Sequence, residues 1–105
     1  MRRRHQRRGV LLSSYRIFET EGFCGDLREL SGSEYDRVYN KIKDYIYPQL
    51  RSQPYFGKNI KKLRNYSPET WRYRLGDLRL FYQIDGHGKI VIMSAAYWRK
   101  DAYRK

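Results

Sequence analysis

The strongest constraint on this chain is the run Trp71 to Tyr82, WRYRLGDLRLFY, in which two stretches of alternating apolar and polar residues flank Gly76-Asp77. Two alternating runs joined by two turn-forming residues predict a tight β-hairpin. A two-residue loop sets Leu75 opposite Leu78, Arg74 opposite Arg79, Tyr73 opposite Leu80 and Arg72 opposite Phe81, with successive pairs on opposite sides of the sheet. One face of the hairpin is then apolar and the other rich in arginine.

Arg74 facing Arg79 opposes folding, because like charges directly across a strand pair repel. Two readings account for the arrangement. A phosphate of RNA or DNA favours it, since a planar guanidinium donates paired hydrogen bonds to phosphate oxygens and stays charged at physiological pH. Alternatively, the arginines form a solvated cationic face screened by salt.

The charge balance bears on the choice. Lys and Arg outnumber Asp and Glu by 23 to 11, giving +12 on 105 residues, an excess suited to a polyanion such as nucleic acid or to an acidic protein. The first 14 residues carry Arg2, Arg3, Arg4, Arg7 and Arg8 with no acid and few apolar residues, so residues 1–14 are expected to be a disordered basic arm and residues 15–105 the folded domain. The arm holds five of the +12 charges, so +7 stays on the domain itself. A single cysteine, Cys24, permits no internal disulfide and points to a reducing compartment, the cytoplasm. The apolar residues near the start, Val10 to Leu12, are too few for a signal-peptide core or a membrane span, so a soluble protein is expected.

Along the domain, Tyr15 to Thr20 reads as a first strand. Phe23, Leu27 and Leu30 recur at helical spacing, and Ser33 is a suitable N-cap for a second helix with Asp36 in its first turn. That helix carries the stripe Tyr35, Val38, Tyr39, Ile42, Tyr45 and Ile46, and Pro48 is expected to end or kink it. A basic loop follows, with Lys58, Lys61, Lys62 and Arg64 placed to flank a phosphate track. After the hairpin, the turn Asp85 to Gly88 leads into IVIMSAA, a continuous apolar run expected to be a central strand covered on both faces. A single helical turn at the end would bring Arg99 and Tyr103 to the same side.

Catalytic options are narrow. His5 lies in the arm and His87 in a glycine turn, and no Asp, Glu, His or Cys spacing suggests a metal cage, so no cofactor or metal is expected. Arg, Lys and Tyr remain. These can cleave RNA without a metal: a base takes the ribose 2′-OH proton, the oxygen attacks the adjacent phosphorus, and fixed cations stabilise the phosphorane. Tyr103 beside Arg99 fits such a role, as clustered cations favour the phenolate; a C-terminal Tyr packed on the sheet is the structural alternative.

The order strand, helix, helix, basic loop, Arg-bearing hairpin, apolar strand and Arg-x-x-x-Tyr ending resembles the RelE/ParE superfamily of bacterial and archaeal toxins. The resemblance covers Tyr15 to Tyr103, and its most specific parts are KKLRN at Lys61 to Asn65, WRYRLGDLRLFYQID at Trp71 to Asp85, and WRKDAY at Trp98 to Tyr103. It implies an α+β fold: strand-helix-helix, then a three-stranded antiparallel meander, in one twisted sheet with a two-helix hairpin and a short C-terminal segment.

For function, the resemblance implies a toxin of a type II toxin-antitoxin system whose partner antitoxin covers its basic surface, the two forming higher-order complexes in some members. RelE-like members cleave mRNA in the ribosomal A site. The family's catalytic positions match Arg79, Arg99 and Tyr103, with Arg72 and Arg74 as phosphate-orienting residues. The chain departs from the pattern at Trp98, where many members carry His; an indole there offers stacking to a nucleobase. Two other activities go with the same fold: ParE-like inhibition of DNA gyrase without catalysis, and an inactive member that only binds its antitoxin.

Overall fold

The computed structural model describes residues 14–99. The basic arm, apart from Ser14, and Tyr103 in the terminal segment lie outside these residues.

The first strand, β1, spans Arg16–Glu19 and leads directly into helix α1, Glu21–Ser31. Thr20 is the N-cap, its hydroxyl accepting from the Phe23 N–H at 3.1 Å. Phe23 and Leu27 are buried and Leu30 packs against the core, as their spacing predicts. Ser33 is not the cap of the next helix. The chain instead turns at Gly32, whose φ of 53° is the left-handed region, and passes through a 3₁₀ turn, Gly32–Glu34, in which no side chain caps.

Helix α2, Tyr35–Lys41, a π-helical turn, Ile42–Ile46, and helix α3, Tyr47–Ser52, then follow end to end. Pro48 does not end the helix. It has no N–H to donate and its ring would crowd the carbonyl four residues back, a conflict that the wider turn absorbs. The Tyr47 N–H accordingly donates to the Ile42 carbonyl, five residues earlier.

Four further strands complete the domain: β2, Ile60–Lys62, β3, Trp71–Leu75, β4, Leu78–Asp85, and β5, Ile90–Trp98. They form an antiparallel meander, and β1 adds parallel to β5, giving the order β1-β5-β4-β3-β2. The meander thus has four strands rather than three, because part of the basic loop pairs along the edge of β3. The hairpin register is as predicted, from Leu75 opposite Leu78 to Arg72 opposite Phe81, and Gly76 takes the turn with φ 59°. β5 is central, as expected, but is not covered on both faces.

All the helices pack on one face of the sheet. Phe23, Leu27, Ile42, Ile46 and Leu50 meet Tyr73, Leu80, Tyr82, Val91 and Met93, each at 0 or 1% exposure. Burying side chains of this size contributes about 1.5–3 kcal/mol each. The buried phenols are satisfied: Tyr73 donates to Gln49 Oε1 at 2.7 Å and Tyr82 to the Pro54 carbonyl at 2.8 Å. Glu19 at the end of β1 accepts from Tyr39 at 2.8 Å and from Tyr47 at 2.7 Å, fastening the strand to the long helical segment.

β5 carries a bulge. Phe81 pairs with Ala95 but Tyr82 pairs with Met93, leaving Ser94 as an extra residue. Helix α1 holds this irregular stretch: Thr20 Oγ1 donates to the Met93 carbonyl at 2.9 Å, and Asp26 Oδ2 accepts from the Ala96 N–H at 3.0 Å. Gly22 lies so close that an added Cβ would sit 3.7 Å from the Ser94 carbonyl oxygen.

Asp26→Ala removes the acceptor of the Ala96 N–H and is expected to cost about 1.5–3 kcal/mol, read as a lower urea midpoint. A pH dependence follows from Tyr39, whose pKa is pushed up to about 12 by burial, then by its bond to Glu19 and that group's charge. The unfolded phenol ionises near pH ~10. Between these values the unfolded chain sheds a proton that the folded one keeps, so stability is complete below the lower value and falls as pH rises. Burial and Glu19 shift Tyr47 in the same direction, as burial and Tyr73 shift Tyr82. Denaturation at pH 8 and 11 should show the decline, with a shallower slope in Tyr39→Phe.

Candidate nucleic-acid interface

With the helices on one side, the other face of the sheet is left open. Alternation decides what stands there. Tyr73, Leu78 and Leu80 are buried, so Arg72, Arg74, Arg79 and Phe81 project from the opposite face. Register arranges them in rows. Arg74 lies opposite Arg79, which lies opposite Tyr97; in the next row Lys61, Arg72, Phe81 and Ala95 follow one another across four strands. Arg99 follows β5 directly, its N–H donating to the Asp77 carbonyl at 2.7 Å, so it stands at the mouth of the hairpin turn.

The electrostatics identify this as one cationic cluster. The Arg79 pKa is held below its usual value, first by partial burial and then by the charges of Arg72, Arg74 and Arg99, with Asp77 opposing them. Arginine stays protonated in any case; the direction shows that its neighbours repel. Two ion pairs occur among the described residues, Arg37–Glu34 and Lys62–Glu69, and neither involves Arg72, Arg74 or Arg79. Arg79 Nη1 donates to the Gly76 carbonyl at 2.7 Å, which fixes the guanidinium over the turn. The Nε of Arg72 is buried without an acceptor. Among the described residues, Arg72, Arg74 and Arg79 thus carry charge that no acid pairs, an arrangement that suits an anion.

The residues expected at the site do not all reach it. Arg72, Arg74, Arg79 and Arg99 are brought together, and Lys61 joins them in the row of Arg72. Lys62 pairs with Trp71, on the helix side of the sheet, and its Nζ meets Glu69 at 2.8 Å. Lys58 precedes β2 and Arg64 follows it, both exposed in the connecting segments. Trp98 is on the helix face: its indole N–H donates to the Leu30 carbonyl at 3.2 Å and its ring packs against the core, so it is turned away from the arginines. Two aromatic residues that the sequence reading did not single out as site residues take the open face. Phe81 and Tyr97 pack edge to face with centroids 5.1 Å apart at 70°. The hairpin's own alternation would have drawn attention to Phe81, whereas Tyr97 reaches this face only through the bulge at Ser94.

Among the described residues no group of three or more His, Cys, Asp or Glu side chains converges. Cys24 is half-buried on α1, with burial and the charge of Glu19 pushing its thiol pKa up, so it is not an activated nucleophile. No helix among the described residues is long and apolar enough to cross a membrane.

No protein-family model and no curated protein sequence matches this chain. Solved structures do. The toxin-antitoxin complex RelBE2 from Mycobacterium tuberculosis contains a chain that is 24% identical, with a TM-score of 0.67 over 82% of this chain and 92% of that one. The YoeB/ParE toxin from Agrobacterium tumefaciens is 20% identical with a TM-score of 0.63, over 79% and 96% of the two chains. The archaeal RelE-RelB complex from Pyrococcus horikoshii gives 21% identity and a TM-score of 0.60, over 82% and 96%. The fold is therefore the RelE-like α+β fold seen in these structures, with a five-stranded mixed sheet.

If like charge is concentrated on the open face, reducing it should stabilise the free protein. Arg74→Thr is expected to raise stability by about 0.2–1 kcal/mol, and the gain should shrink as salt rises, measured by denaturation at low and high ionic strength.

Proposed function

We propose that this chain is the toxin of a type II toxin-antitoxin pair and acts in the cytoplasm as a ribosome-dependent endoribonuclease on mRNA. The observation that carries the reading is the convergence of Arg72, Arg74, Arg79 and Arg99 on the one sheet face that the helices leave open. A generic basic surface would spread its charges; here they are concentrated against repulsion.

The geometry suits metal-independent transesterification. The ribose 2′-oxygen loses its proton, attacks the adjacent phosphorus, and expels the 5′-oxygen of the next nucleotide, which takes up a proton, leaving a 2′,3′-cyclic phosphate. In this scheme Arg79 and Arg99 stabilise the charge that develops on the phosphorane oxygens, while Arg72 and Arg74 orient the phosphate. Guanidiniums suit these tasks because their forked donors match phosphate oxygens and need no deprotonation. Tyr103 is assigned to proton transfer on the pattern of its sequence. DNA lacks the attacking hydroxyl and is spared. The proposed partners are the ribosome with its mRNA and a cognate antitoxin, the last supported by the fold's recurrence in complexes of toxin with antitoxin.

Primer extension on a defined mRNA, with and without programmed ribosomes, tests the reading. The unsubstituted chain should cut at the A-site codon only when ribosomes are present, and Arg79→Ala should lower the rate about 10²–10³-fold, the usual effect of deleting one charge-stabilising donor. Cleavage of free RNA would keep the nuclease and remove the ribosome from the scheme. Absence of cleavage in both settings, with gyrase-dependent DNA damage in cells, would replace it with gyrase inhibition.

A further inference from the structure

We infer that Tyr97, braced by Phe81, is a nucleobase-stacking platform. On this view the open face binds single-stranded RNA with a phosphate on Arg72, Arg74 and Arg79 and the neighbouring base on the Tyr97 ring. The inference rests on the reading of this face as an RNA site and adds the part of the ligand that the arginines do not address.

Three observations carry it. Tyr97 is directly opposite Arg79 in the sheet register, one backbone strand spacing of about 4.8 Å away, with Arg74 next in the same row on β3. It is 48% exposed, which is unusual placement for a large ring on a central strand, and is not explained by any packing need, since the helix side of β5 is already filled. Finally, no cation among the described residues lies over its ring. Tyr15, Tyr35, Tyr39 and Tyr47 each have a Lys or Arg over the ring. Tyr97 is not among them although Arg79 is its cross-strand neighbour, because the Arg79 guanidinium is turned to the Gly76 carbonyl.

Phe81 supplies the rigidity. Its edge-to-face contact with Tyr97 fixes the ring by an aromatic pair of favourable geometry, and Phe81 sits opposite Arg72 in the adjacent row. A base stacked on such a platform is held by dispersion and π contact rather than by hydrogen bonds to its edges. Every base has such a face, so the subsite tolerates all four and prefers the larger purine surface. It also requires an unstacked base, which restricts the ligand to single-stranded segments.

Binding of the full-length chain to a short single-stranded oligoribonucleotide tests the inference, with all 2′-hydroxyls methylated so that it binds without being cut. Tyr97→Ala should weaken binding about tenfold or more, whereas Tyr97→Phe should stay within about twofold of the unsubstituted chain. A single abasic position moved along the oligonucleotide needs no variant: one position should produce a similar loss with the unsubstituted chain and little further loss with Tyr97→Ala. Equal affinity for every abasic oligonucleotide, or unchanged binding by Tyr97→Ala where Arg79→Ala binds poorly, overturns the stacking site and leaves the RNA reading standing. No binding by the unsubstituted chain overturns the stacking site, while the proposed function then stands or falls with primer extension on programmed ribosomes.

Discussion

The arginine cluster exists because the opposite side of the same strands is buried. In a pleated strand a residue cannot choose its face independently of its neighbours: with Tyr73, Leu80 and Tyr82 in the core, Arg72, Arg74, Arg79 and Phe81 must point the other way. Magnitudes show which effect prevails. A like-charge cross-strand pair costs roughly 0.2–1 kcal/mol. Each large side chain buried beneath it contributes about 1.5–3 kcal/mol. The core therefore imposes the charge arrangement with a wide margin, and relief of the repulsion is left to whatever anion binds.

The same parity argument makes the bulge at Ser94 decisive. Before it, Val91 and Met93 face the core; after it, Ala96 does. An uninterrupted strand would have sent Tyr97 into the helices and Trp98 to the arginines. The inserted residue reverses this, so the indole reaches the Leu30 carbonyl and the phenol ring stands beside Arg79. Helix α1 maintains the reversal through Thr20 on Met93 and Asp26 on Ala96, beyond the point where β1 stops pairing with β5. An acid on the helix face thus sets the composition of the cationic face without touching it.

These elements also mark what could be read from sequence. The hairpin was legible to the residue, because its turn and both alternating runs are local, and so was the stripe of the long helix except at Tyr45, which is exposed within the π-helical turn. The π-helical turn before Pro48 was less so, since a proline predicts a conflict but not how the backbone resolves it. β2 was read as loop: three residues with two lysines have little strand character of their own, and their structure comes from pairing with β3. Trp98 was assigned to the nucleic-acid side because it stands where members of the resembled family carry His before the terminal arginine. Nothing local to that stretch signals a bulge whose fastenings, Thr20 and Asp26, lie some seventy residues away.

The open face is itself divided, and the division bears on how it can work. Toward β3 it carries guanidiniums held by register on paired strands; toward β1 it carries Phe18, Ile90, Ile92 and Tyr97, partly or largely exposed. Cations mounted on strands need little rearrangement when charge develops before them, which is the condition under which fixed donors stabilise a transition state most. The exposed lysine and arginine of the connecting segments, Lys58 and Arg64, add to the attraction of a polyanion but are not set in register with the arginine rows. On the proposed function, attraction and chemistry then fall to different parts of one basic surface: long-range charge gathers the ligand, and the arginines held by the sheet and its hairpin turn act on a single phosphate.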